Sequence, residues 1–185
     1  TGMPFNLPVN EGVAIILSLL IGGITFTGSM IAADSKYDRY KKGTVTFNAQ
    51  EENGYQLYKV NCASCHPEPL FTDYSFRNIG LPLDNLLTDY GRMRITGKSE
   101  DSLKFKVPTL RNTYISSNYM HDGRFNTLQQ CINHYRNGVQ QSTTLDPILT
   151  GGITLTNAEA NDIVVFLRTL TDSAFLRDPR FQQPQ

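Results

Sequence analysis

The 185 residues carry 17 Lys and Arg against 17 Asp and Glu, so the net charge is zero and nothing in it points to nucleic acid as a partner. Hydrophobic residues make up 39% of the chain and charged residues 18%, which is typical of a globular protein with one domain of ordinary size plus extensions. Three cysteines are too few for a disulfide framework.

The first feature along the chain is an uncharged stretch at residues 13–33, long enough to span a bilayer. No Lys or Arg precedes this stretch, whereas four follow it within residues 36–42. The positive-inside tendency would then put the rest of the chain in the cytoplasm, the wrong side for the cofactor inferred below. We therefore predict a buried helix here, with a membrane anchor as the alternative.

The next helix is predicted over Ala49–Asn61, because Asn48 and Glu51 have the spacing of a capping box. It runs directly into Cys62-Ala63-Ser64-Cys65-His66, a C-x-x-C-H run typical of covalently attached c-type haem. Two thiols on one helical turn can add to the two vinyl groups of a porphyrin, and His66 is then placed to ligate the iron. The motif predicts one haem c per chain, held by Cys62 and Cys65, with His66 as the proximal ligand.

Half of a zinc site and a thiol-redox pair are the alternatives for this motif. Zinc needs two further ligands, and His121, Cys131 and His134 do not recur at knuckle spacing. A thiol-redox motif belongs in a βαβ unit, and no such pattern is visible. Because bacteria attach haem c outside the cytoplasmic membrane, a haem motif predicts a periplasmic or membrane-associated location.

Beyond the motif, residues 67–110 are predicted to be loop, since Pro and Gly interrupt every apolar run. A helix follows at residues 127–137, with Gly138 as a left-handed cap and Cys131 as a buried packing thiol. The last helix begins at Thr156, with Glu159 three residues on.

No β-pattern of any length is visible, so the fold is expected to be an all-α, cytochrome c-like domain with an N-terminal helical extension. The predicted divisions are residues 1–47 for the extension, 48–172 for the haem domain and 173–185 for a C-terminal tail. The first and last helices of the haem domain should cross, and Gly54 would let them approach closely.

The second iron ligand is predicted to be Met120, because it lies in a short polar loop between helices, where a methionine has no helical face to pack on. His121 is adjacent and stays open as an alternative. Met93 lies only 27 residues after His66, in a basic run, and is a weaker candidate.

Several runs in series resemble the bacterial di-haem cytochrome c peroxidases, in family order from about residue 26 to residue 181. They are Ser35-Lys36-Tyr37-Asp38-Arg39-Tyr40, Pro69-Leu70-Phe71-Thr72-Asp73, Lys106-Val107-Pro108-Thr109-Leu110-Arg111-Asn112, Tyr119-Met120-His121-Asp122-Gly123-Arg124-Phe125 and Phe166-Leu167-Arg168-Thr169-Leu170-Thr171-Asp172. The related methylamine-dehydrogenase maturation enzymes carry a tyrosine in place of the methionine ligand, so Met120 places this chain on the peroxidase side.

The resemblance implies the high-potential haem domain that receives electrons in an enzyme reducing hydrogen peroxide to water. It assigns Cys62 and Cys65 to the thioether links, and His66 and Met120 to the iron. It implies a small cytochrome or copper protein as electron donor and a second haem domain as partner, and it leaves a homodimer open. It also suggests calcium beside the Val107-Pro108-Thr109 run and a propionate contact for Arg111, for which a loop-bracing role is the alternative.

One departure from the family is large, because its members carry two haem motifs and this sequence has one. Two hypotheses follow: an electron-entry domain of a di-haem peroxidase, with electron transfer as the role of this chain alone, or a stand-alone mono-haem carrier, with membrane tethering left open.

Overall fold

The computed structural model describes residues 32–181. Six α-helices follow in chain order: α1 (Lys36–Lys41), α2 (Ala49–Asn61), α3 (Met93–Thr96), α4 (Leu128–Asn133), α5 (Asn157–Arg168) and α6 (Ser173–Leu176). Short 3₁₀ turns lie at Ser99–Asp101, Thr113–Ile115, Pro147–Leu149 and Pro179–Phe181. The chain is therefore mostly helical where the structure describes it.

Two strands, β1 (Phe76–Arg77) and β2 (Phe105–Lys106), pair antiparallel, with Phe76 opposite Lys106 and Arg77 opposite Phe105. The sequence prediction of no β-structure missed this small sheet, so the all-α class is not confirmed. Two-residue strands are too short to show the alternation that reveals a strand in a sequence.

Helix starts follow the capping chemistry that was predicted. Asn48 caps α2 and Thr156 caps α5, each in a reciprocal capping box with the Glu three residues on. The side-chain oxygen of each cap accepts from a backbone N–H that would otherwise lack a partner. Both predicted starts are confirmed.

The predicted left-handed cap at Gly138 is wrong. Helix α4 ends at Asn133 and continues as a π turn, His134–Gly138, and Gly138 does not have a positive φ. A Cβ at Gly138 would lie 2.9 Å from Nδ1 of His134. Glycine is needed there to make room for the imidazole, and not for its backbone freedom.

The core forms where α2 crosses α5. A Cβ built on Gly54 would lie 2.0 Å from the backbone carbonyl oxygen of Asp162, so the two helix backbones touch at this point, as predicted. The side chains of Gln50 and Asn53 donate to the Asp162 carboxylate at 2.8 and 2.7 Å. The buried aromatic residues around the crossing include Tyr55, Tyr58, Phe71 and Phe166.

Helix α1 belongs to the same core. Tyr37 is 2% exposed, its ring lies 4.9 Å from that of Phe71, and its N–H donates to the Thr169 carbonyl at 3.0 Å. All but the last two residues of the predicted helix at 13–33 lie outside the described residues. Between residues 32 and 181, no helix is both long and apolar enough to cross a membrane.

We expect Gly54→Ala to lower the free energy of unfolding by about 3 kcal/mol, because a methyl group cannot fit between two touching backbones. Gly97→Ala is the control: it adds a methyl in open space, at a φ of +68°, and should cost about 1 kcal/mol. Urea unfolding of both variants measures the difference. Equal losses would show that the crossing can widen freely.

Candidate haem site

The two motif cysteines lie on the turn that ends α2. The Cys62 N–H donates to Tyr58 O at 2.8 Å, and the N–H groups of Cys65 and His66 both donate to Cys62 O, at 3.2 and 3.0 Å. Both thiols are free and half-buried. Burial, with a smaller contribution from Cys65, raises the pKa of Cys62 to about 12, so its sulfur is a neutral thiol. Two thiols on one turn are placed to form thioether links to the two vinyl groups of one porphyrin.

The orientation of the His66 imidazole is set by contacts of its Nδ1 atom with two backbone carbonyls. Its Nδ1 lies 2.9 Å from Phe71 O and 3.1 Å from Pro108 O, and as a donor it is satisfied by these backbone carbonyls. Burial lowers the pKa of His66, against the opposing effect of the two carbonyls, and favours the neutral ring. When Nδ1–H of a neutral ring donates to a carbonyl, the Nε2 lone pair is left for a metal. Histidine ligands to metals are usually held in this way.

The loop after the motif is fastened at several points. Tyr58 donates its hydroxyl to His66 O, and the Asp73 N–H donates to Cys65 O at 3.1 Å. The Thr72 hydroxyl donates to Val107 O at 2.7 Å, which ties the loop to the residues that follow β2. Pro108, one of the two residues whose carbonyls orient His66, therefore lies in a segment that is hydrogen-bonded to the loop after the motif.

A three-residue ion cluster lies beside Cys65. Arg77 donates to Asp73 at 2.8 Å and to Asp146 at 2.6 Å, and all three charges act on the Cys65 thiol. Burial opposes ionisation of Asp73, but Arg77 and Ser75 outweigh it and lower its pKa to about 2. No sequence pattern indicates this cluster, because Asp146 joins it from 69 residues beyond Arg77.

Met120 lies in a tight loop closed by the Tyr119 N–H, which donates to Phe125 O at 2.8 Å. Its φ is +69° and that of Gly123 is +72°. A left-handed methionine costs about 1 kcal/mol relative to ordinary backbone, so surrounding contacts must hold it in place. Met120 is half-buried.

The other two candidate ligands have different surroundings. The His121 ring stacks on Phe105, with ring centroids 3.6 Å apart and planes 11° from parallel. Met93 opens the four-residue helix α3. Met120 as the sixth ligand stays a prediction.

Arg111, the predicted propionate contact, is engaged elsewhere. It forms two 2.9 Å hydrogen bonds with Asp38 and donates to Ala32 O and Pro69 O, each at 3.0 Å. The Arg111 and Asp38 side chains are 13% and 11% exposed. Burial raises the pKa of Asp38, but Arg111 and Ser35 outweigh this and lower it. Arg111 thus braces the N-terminal segment, and its propionate contact stays a prediction.

The predicted calcium site stays a prediction too. The carbonyls of Val107 and Pro108 already accept from Thr72 and His66. Cys131 is 8% exposed and packs in the core region, as predicted. Burial raises the pKa of the Tyr135 phenol.

These residues fit a covalent haem. Two neutral thiols on one turn adjoin an imidazole whose Nε2 is left for the iron. Within residues 32–181, no group of three or more His, Cys, Asp and Glu side chains could hold a metal ion by itself.

Comparison with known proteins finds close relatives. The methylamine utilization protein MauG of Methylorubrum extorquens is 32% identical over 151 residues, covering 79% of this chain and 42% of that protein. The cytochrome c551 peroxidase of Nitrosomonas europaea is 32% identical over 163 residues, covering 86% and 44%. No family model matches the chain.

A crystal structure of a MauG-like protein associated with microbial copper homeostasis superposes with a TM-score of 0.76 at 31% identity, covering 82% of this chain and 52% of that one. The chain thus spans about half or less of the length of these relatives. MauG and peroxidase sequences match at the same identity, so placement on the peroxidase side stays a prediction. Over about four fifths of its length, this chain belongs to the family of MauG proteins and di-haem cytochrome c peroxidases.

Proposed function

We propose that this chain is the high-potential haem domain through which electrons enter a peroxidase that reduces hydrogen peroxide to water. The observation that carries the proposal is the His66 imidazole, whose Nδ1 is held by Phe71 O and Pro108 O directly after the two motif thiols. This geometry supports covalent haem with His66 on the iron. Peroxidase relatives support the enzyme class.

The bound haem would supply one-electron exchange between ferric and ferrous iron. Cys62 and Cys65 would hold the porphyrin through thioether bonds. His66 would bind the iron as a neutral imidazole, with its single N–H, on Nδ1, donating to backbone carbonyls. Met120 on the opposite face would close the iron to peroxide and favour the ferrous state, since a thioether stabilises Fe(II). The domain would then pass electrons and would not cleave O–O bonds.

The proposal extends to partners and location. A small cytochrome or copper protein would deliver electrons, and a second haem domain would consume them at a peroxide-reactive iron. Coverage of about half the relatives' length supports the second domain. Because haem c is attached outside the cytoplasmic membrane in bacteria, we propose a periplasmic location. A stand-alone mono-haem carrier is the second candidate, and it would need no site beyond Cys62, Cys65, His66 and Met120.

Haem attachment is tested by heme staining after denaturing electrophoresis, with a pyridine haemochrome assay for the count. We expect one haem per chain, and no stained band for the double variant Cys62→Ala/Cys65→Ala, because thioether bonds alone survive denaturation. Cys131→Ala is the matched control and should retain one haem, since that thiol packs in the core. A stained band from the double variant would contradict the assignment.

Met120→Ala should abolish the weak near-infrared sulfur-to-iron band and lower the reduction potential, because a ligand that stabilises ferrous iron is lost. Spectroscopy and potentiometry of the full protein measure both changes. Met93→Ala serves as control and should leave the band in place. If Met93→Ala removes the band while Met120→Ala preserves it, the ligand assignment is wrong.

The chain alone should be reduced rapidly by a small reduced cytochrome but show negligible turnover with hydrogen peroxide. Peroxide reduction needs an open iron position and an acid–base group beside the bound oxygen. Stopped-flow reduction and steady-state oxidation of the cytochrome, run in parallel, give the two rates. Sustained turnover would mean that the sixth ligand dissociates, and it would refute a purely electron-transferring role.

A further inference from the structure

We propose that Phe105 is a positioning residue that clamps the Met120 loop through its stack on His121, so that residues 105–108 support both faces of the iron. The inference rests on the proposed function, in which His66 and Met120 are the axial ligands. The contact between Phe105 and His121 would restrain the loop, and this restraint would position the adjacent Met120 side chain.

The stack is close and nearly parallel, with ring centroids 3.6 Å apart and an interplanar angle of 11°. The Asp122 carboxylate lies 3.9 Å from Nε2 of His121 and pairs with Arg124, so the residues after the stack are also held. His121 immediately follows Met120, whose left-handed backbone needs external support. The Phe105 ring stacked on His121 therefore restricts the conformations open to the adjacent Met120.

Phe105 is itself held rigidly. Its backbone pairs with Arg77 in the small sheet, and the Val107 N–H donates to Ser75 O at 2.8 Å. A Cβ at Gly91 would lie 3.1 Å from Cζ, the tip of the Phe105 ring, and 2.4 Å from Lys104 O. The bare backbone of Gly91 therefore lies against the tip of the Phe105 ring and limits its movement.

The same segment reaches the proximal ligand. Pro108, three residues after Phe105, accepts from Nδ1 of His66 at 3.1 Å. Between them, Val107 O accepts from the Thr72 hydroxyl at 2.7 Å, which ties the segment to the loop after the haem motif. A short strand anchored in this way would set the positions of both ligands relative to each other.

The test uses the haem-loaded full protein and measures how readily imidazole displaces the methionine from ferric iron. Loosening the loop raises the population in which the iron is open, and the apparent affinity for imidazole rises in proportion. From the usual strength of an aromatic stack, we expect Phe105→Ala and His121→Ala each to raise that affinity about two- to tenfold. Because the two residues act through one contact, the double variant should show no more than the larger single effect.

Variants that keep the stack serve as rescues. Phe105→Tyr and His121→Phe both retain a flat ring and should keep the wild-type imidazole affinity and the sulfur-to-iron band. Phe76→Ala is the matched control: it removes a ring from the partner strand, one that lies under Arg92 and is 40% exposed. Phe105→Leu preserves apolar bulk without a flat ring, so it gives the same test if the alanine variant does not mature.

Unchanged imidazole affinity in both Phe105→Ala and Phe105→Leu would overturn the clamp. So would an equal rise in Phe76→Ala, which would indicate a general loosening of the sheet. Loss of six-coordinate iron in His121→Phe would identify His121 as the ligand and overturn it as well. Failure of the proposed ligand set is separate: the wild-type protein would then lack the sulfur-to-iron band before any substitution is made.

Discussion

The contact between the backbones of α2 and α5 at Gly54 is the constraint on which the rest of the structure depends. With a Cβ only 2.0 Å from Asp162 O if one were present, the position accepts no side chain. The crossing fixes the axis of α2, and Cys62 caps its end. Because the haem motif begins at that cap, the position of both thiols follows from a contact two turns earlier in the helix.

A second level of organisation joins this local motif to distant parts of the chain. His66 has its Nδ1 bound by Phe71 O, five residues on, and by Pro108 O, 42 residues on. The first contact is local in the chain, whereas the second exists only when the 105–108 segment is in place. The orientation of the imidazole thus depends on the folded domain. The two-stranded sheet contributes to it, because β2 leads directly to the Pro108 carbonyl that contacts His66.

This difference between local and distant contacts also decides what the sequence could predict. The starts of α2 and α5 were predictable, because a cap and its partner lie three residues apart. The haem motif was equally local. The sheet was missed because each strand has two residues, and the partner of each lies about 30 positions away. Gly138 was misread because its requirement comes from the His134 ring, which no backbone rule describes.

Under the proposed function, the iron ligands and the nearby charged side chains shift the haem reduction potential in opposite directions. A Met120 thioether and a neutral His66 favour ferrous iron. The cluster beside Cys65 combines one guanidinium, Arg77, with two carboxylates, which leaves a net charge of −1 near that thiol and would favour the ferric state of a haem attached there. Since axial ligation is the stronger effect on haem potentials, the proposed haem would have a high potential that Asp73 and Asp146 moderate. A moderated potential suits a relay, which must accept an electron from a donor and still release it to the next iron.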